Sequence, residues 1–204
     1  MRILFCKISS TKYYKGASDK DIPYNGGSYV KENGYGHEEF NFEPVEFDDG
    51  KFYCLGFVET KSTSKIKSNE LHIENISGCE LLKKEKFVED VLVVWCATTD
   101  LNETSVVEWY KNATVFRNYE RIEFDTGYIQ NYNVIAEKDK CLLLPQGMRH
   151  RHIWDAPVAK KRTYGFGQSL IWYSREEIAK NYISNLVKNI DEYYGDNWVD
   201  LAAS

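Results

Sequence analysis

No stretch of this 204-residue chain approaches the ~18 consecutive apolar residues that a membrane-spanning helix requires. A charged segment followed by an apolar one, the mark of a secretory signal, is missing as well. Both absences predict a cytoplasmic protein with no membrane partner. Cysteine is sparse and unpatterned: Cys6, Cys54, Cys79, Cys96 and Cys141 are odd in number, widely spaced, and offer no pair at zinc-ligand spacing. They read as buried, reduced thiols. Positive charge is not in excess either. A formal net charge of -5 excludes the footprint of a non-specific nucleic-acid binder, so any phosphate contact must be local. Recognised catalytic motifs are also lacking: there is no nucleophile elbow, phosphate-binding glycine loop, His-Glu-x-x-His or deaminase-type cysteine pair. The balance favours binding over catalysis, with no cofactor.

What the chain does have is aromatic residues, 15% of the total, including 15 Tyr and 5 Trp. That content favours many short strands with aromatic pairs packed across them. The length suits one domain over residues 1–204. Apolar runs at 1–8, 51–59, 90–98, 105–116, 133–136, 141–144 and 166–173 predict strands, and 70–76 alternates polar and apolar with period two. Seven or eight short strands separated by turn signals predict a barrel or sandwich over 1–173. Residues 9–41 are glycine-rich and read as one long functional loop. A shorter helix or extended loop is expected at 81–89. Ser174 with Glu177 spells a capping box, and Ile178, Tyr182, Ile183, Leu186, Val187 and Ile190 follow at helical spacing. A C-terminal helix over 174–195, packed on the barrel, completes an α+β protein. The chain also reads as one module of something larger.

The candidate site lies between Asp90 and Arg117. Strands ending in Trp95 and in Trp109-Tyr110 can bring large rings together, with Lys111, Asn112 and Arg117 beside them, a combination suited to a flat, partly polar ligand such as a nucleobase. Such Trp residues serve equally well as ordinary core. A second candidate is the basic segment carrying Arg149, His150, Arg151, His152, Lys160, Lys161 and Arg162 against Asp155. Its cations suit phosphate, and Trp154 among them suits stacking on a base. A solvated charged loop is the plainer alternative. Of the other histidines, His72 reads as an ordinary strand residue, whereas His37 with Glu38 and Glu39 offers a base or metal ligand that lacks partners at recognisable spacing.

Five blocks carry a resemblance: Asn25-Gly26-Gly27-Ser28-Tyr29-Val30, Gly36-His37-Glu38, the run 91–98, the run 109–115, and Gly165-Phe166-Gly167-Gln168-Ser169. In this order the chain resembles the N-terminal module of bacterial HNH-nuclease-type, modification-dependent restriction proteins, which is similar to the EVE and YTH domains of the PUA-like superfamily. The resemblance implies a mixed PUA-like barrel that holds a flipped base in an aromatic cage. It implies DNA carrying methylated or hydroxymethylated cytosine or N6-methyladenine as the partner, with RNA also open. On this reading Trp95, Trp109 and Tyr110 are cage walls, Tyr29 a lid, and Ser28 and Asn112 bond the base edge. Lys111, Arg117, Arg149, Arg151, Lys160, Lys161 and Arg162 would meet phosphate. Two departures stand out. No nuclease signature follows, so cleavage would fall to a partner such as a nuclease or ATPase module or to a missing C-terminal part, and Glu108 occupies the place where a glycine is expected before Trp109.

Three function classes stand side by side: a reader of modified bases, which the resemblance implies, a metal-dependent nuclease or hydrolase using His37, Glu38 and Glu39, and a protein-interaction domain with an aromatic surface.

Overall fold

The computed structural model describes residues 1–16, 18, 21, 23, 37–60, 70–99, 101–160 and 162–201. Its strands are β1 (Arg2–Ile8), β2 (Pro44–Glu46), β3 (Phe52–Gly56), β4 (Phe87–Thr98), β5 (Thr104–Glu123), β6 (Ile129–Glu137), β7 (Cys141–Leu143) and β8 (Ile171–Trp172), followed by the helix α1 (Lys180–Asp191). All eight strands join one sheet in the order β2-β3-β6-β5-β4-β1-β8, with β7 beside β5. β1 and β4 run parallel, and the other pairings are antiparallel. The protein is thus a mixed α+β protein, as the sequence predicts.

The expected barrel is not formed. The sheet stays open, its path ending at β2 and β8. These end strands have only three and two residues, which leaves little unpaired edge to close or protect.

β5 is the spine of the sheet. Its first half lies between β4 and β7, and its second half pairs with β6. Three register shifts interrupt the β4–β5 ladder. Asp90 and Asn112 accompany two of them in the left-handed region, at φ 57 and 52. The third falls between the pairs Trp95–Glu108 and Cys96–Val106, which makes Val107 an extra residue on β5. A bulge of this kind breaks the alternation of faces and sends two successive side chains the same way.

The two faces carry separate cores. Leu4, Cys6, Val93, Trp95, Val107, Tyr110 and Leu143 line one, covered by Tyr14, Phe42, Leu71, Ile73 and Ile76. Ile3, Phe5, Val94, Cys96, Val106 and Trp109 line the other, covered by Trp154, Phe166 and the Leu186–Ile190 side of α1. All five cysteines are buried and free, as expected of reduced thiols.

Two local expectations need correction, and one open alternative is resolved. Residues 70–76 are not a strand: Leu71, Ile73 and Ile76 are buried around a 3-10 turn at Ile73–Asn75, so the period-two pattern marks one buried side of a turn. At 81–89 the loop alternative holds: residues 81–86 form turns leading into β4, with Leu81 exposed. The capping box is absent, because Ser174 has φ 51 and its buried hydroxyl has no hydrogen-bond partner. Glu176, not Glu177, is engaged there, accepting a bond from Trp172 Nε1 at 2.9 Å. A 3-10 turn at Glu177–Ala179 delays α1 until Lys180.

Candidate functional site

Strand register decides which aromatic residues meet. Trp109 pairs across the ladder with Val94, and Tyr110 with Val93, whereas Trp95 pairs with Glu108. Trp95 and Tyr110 therefore share a face and meet edge to face, with ring centres 5.4 Å apart. Trp109 leaves the opposite face. It stacks on Trp154 at 5.3 Å and meets Tyr193 at 87°. A single cage walled by Trp95, Trp109 and Tyr110 is consequently not present, and Trp154 is a buried core residue instead of an exposed stacking ring. All four rings are buried, so the plainer reading as core describes Trp109 and Trp154.

Tyr110 is further committed, its hydroxyl donating to the Asn41 carbonyl. Asn112 is exposed at the tip of a bulge and faces neither Trp. Ser28, Tyr29 and Lys161 lie outside the described residues.

The basic candidates divide into structural and exposed groups. Arg149 is buried, and its guanidinium donates to the carbonyls of Leu144 at 2.9 Å, Thr11 at 2.7 Å and Lys12 at 2.7 Å. Its donors are taken up inside the protein and do not reach phosphate. Arg117 bridges Glu74 at 2.8 Å and the carbonyls of Leu82 and Glu85, tying the 70–86 turns to β5. Lys111 pairs with Asp191 at the end of α1 at 2.7 Å. Arg162 lies 3.8 Å from Asp155 and over the Tyr182 ring, in the wall of a cavity of about 630 Å³ between this segment and α1. Arg151 and Lys160 are exposed. They sit on a segment that passes from the Arg149 contacts on the first face to Trp154 on the second.

His37, Glu38 and Glu39 do not converge. The His37 ring packs on Phe57 and lies 3.2 Å from the Asn131 side-chain nitrogen, while Glu38 accepts from the Ser9 amide at 2.9 Å and Glu39 is fully buried. Among the described residues no group of three or more His, Cys, Asp or Glu is arranged to hold a metal.

The unexpected feature is Glu108. The bulge at Val107 sends it to the face of Trp95 and Tyr110, where it is completely buried and, among the described residues, neither carboxylate oxygen has a hydrogen-bond partner. The indole Nε1 of Trp95, its cross-strand neighbour, is likewise buried and unpartnered. Two such groups side by side are rare, because each costs about 1 to 3 kcal/mol when left unsatisfied.

Burial pushes the Glu108 carboxyl well above the usual carboxylate range, opposed by the Arg149 charge and reinforced by Cys54 and Glu38. The same cause lifts Glu38 to about 7, against the bond from the Ser9 amide that lowers it. Burial thus favours the protonated form of Glu108, which has one O–H to give and one carbonyl to accept. The sequence signal for it was a lone carboxylate inside the run Val106-Val107-Glu108-Trp109-Tyr110, legible only as a departure from the expected glycine.

Comparison of the chain with protein-family models, with curated proteins and with solved structures gives no match.

Proposed function

We propose that this protein is a binding module that reads a modified base in DNA, on the general plan of the EVE and YTH modules of PUA-like proteins. Methylated or hydroxymethylated cytosine and N6-methyladenine are the candidate bases. The supporting observation is the unpartnered pair of Glu108 and Trp95 Nε1, set beside the Tyr110 ring. Apolar rings supply the surface that a methyl group fills, worth roughly 1 to 3 kcal/mol, and the two polar groups supply hydrogen bonds that a base edge completes. Any nuclease or ATPase activity is supplied by a partner or by a further part of the protein.

The proposed site differs from the cage implied by the sequence. Trp95 and Tyr110 form its walls, Glu108 replaces Asn112 as the base-edge contact, and Trp109 supports the sheet from behind. Trp95, Glu108 and Tyr110 have no exposed surface, so admitting a base requires the layer of Tyr14, Phe42 and the His37–Phe40 turn to move outward. Among the described residues, Arg151 and Lys160 are the exposed basic candidates for phosphate.

The test is a binding panel of identical duplexes carrying cytosine, 5-methylcytosine, 5-hydroxymethylcytosine or N6-methyladenine at one position, measured at two salt concentrations. A preference of about tenfold for one modified duplex supports the reading. Equal affinity for all four rejects it.

A further inference from the structure

Resting on the base-reading proposal, we infer that the Trp95 indole N–H and the Glu108 carboxyl together read the edge of a pyrimidine and disfavour a purine. The argument is one of complementary donors and acceptors. Trp95 can only donate. In the protonated form that burial favours, Glu108 presents one donor and one acceptor, and the proton can sit on either oxygen.

Cytosine offers an amino donor, a ring-nitrogen acceptor and the O2 acceptor in sequence. Its first two groups match the carboxyl, and O2 matches the indole N–H. Thymine offers O4, an N–H and O2. Moving the carboxyl proton to the other oxygen satisfies the first two, and O2 again meets Trp95. Adenine matches the carboxyl but sets a C–H against the indole, leaving Nε1 buried and bare. Guanine sets an amino donor there, donor against donor.

The pair is thus satisfied by either pyrimidine, while each purine leaves at least one buried group unpaired. N6-Methyladenine drops from the list of candidate bases, and C5-substituted pyrimidines remain.

The surroundings preserve this chemistry. The groups that act electrostatically on Glu108 are Arg149, Cys54 and Glu38. Arg149 directs its donors to three backbone carbonyls, and Glu38 is held by the Ser9 amide, so neither supplies Glu108 with a hydrogen bond. The bulge at Val107 fixes the carboxyl on the indole's side of the sheet.

The experiment uses the full chain and oligonucleotides that are abasic except for one central base: cytosine, 5-methylcytosine, thymine, adenine, N6-methyladenine or guanine. The expected result is binding of all three pyrimidines at least about tenfold tighter than the purines. Trp95→Phe, which keeps the ring but loses the N–H, should reduce that preference to within about threefold at unchanged folding. Glu108→Gln, which keeps one donor group and one acceptor, should retain binding, whereas Glu108→Leu should lose it while remaining folded by circular dichroism.

Measurable binding of all six bases without preference, or a preference that survives Trp95→Phe, overturns this inference and leaves the base-reading proposal standing. Binding to none of the six overturns both.

Discussion

Gly56 and Trp95 approach so closely that a single methyl group has no room between them. A Cβ built on Gly56 of β3 would overlap Cζ2 of the indole, lie 2.9 Å from Cη2, and sit 3.1 Å from Cε2 of Tyr110. The glycine is therefore a packing requirement of the Trp95–Tyr110 pair, with no demand on backbone conformation. Gly56→Ala should destabilise the protein by about 1 to 3 kcal/mol through overpacking. A denaturant melt reads this directly. A melt midpoint unchanged from wild type would show that the indole has another place to go.

Trp109 gives the opposite test, since it lies behind the sheet. Trp109→Ala should cost about 3 to 5 kcal/mol by removing a ring stacked on Trp154 and edge-on to Tyr193. Base preference among the molecules that remain folded should be unchanged. Loss of preference at full folding would return Trp109 to the binding site and contradict the register.

Stability should fall as pH rises from about 4.5 to about 7 in the part carried by Glu38. The sign follows from its raised carboxyl: below the unfolded value both states are protonated and the contribution is intact. Between the two values the unfolded chain ionises first, and stability is lost until the folded group also ionises near 7. The slope is at most about 1.4 kcal/mol per pH unit for one such group. His37, whose burial lowers its value, acts in the other direction below about 6.5. The clean measurement is therefore the difference between wild type and Glu38→Gln across this range. A flat difference would place Glu38 in water.

Arg149→Ala should be severely destabilising, at about 1 to 3 kcal/mol for each carbonyl left bare, and should speed amide exchange at Tyr14 and its neighbours. Normal exchange in the variant would mean that the Thr11 and Lys12 carbonyls find water at no cost.

Arg151→Ala combined with Lys160→Ala should reduce the salt dependence of DNA binding by about 0.9 in slope for each phosphate contact removed, without altering the ranking of modified bases. A changed ranking would show that this segment touches the base.

The longer strands were legible because they are apolar runs with clear turn punctuation, and β4 and β5 fall where Val91 to Ala97 and Val106 to Val115 place them, whereas the three-residue β2 at Pro44–Glu46 has no such run and went unexpected. Register was not legible. Which face Trp109 takes depends on Val94 being its partner, and the bulge at Val107 carries no glycine or other local mark. Ile73 misled for a related reason: a turn that buries alternate residues imitates a strand over so short a window. The basic residues were visible as charge, yet charge alone does not separate Arg149, which clamps three carbonyls, from Arg151, which faces solvent. Glu108 was in plain view, but its meaning came only from being buried without a partner.

The parallel pairing of β1 with β4 has a consequence for how the protein comes to be made. Arg2 to Ile8 are the first residues of this sequence to leave the ribosome, and their partners Val91 to Ala97 follow only after β2 and β3. During that delay Leu4 and Phe5, which end fully enclosed, have no sheet to join. Until β4 is made, β1 is thus an unpaired apolar strand for chaperones to protect.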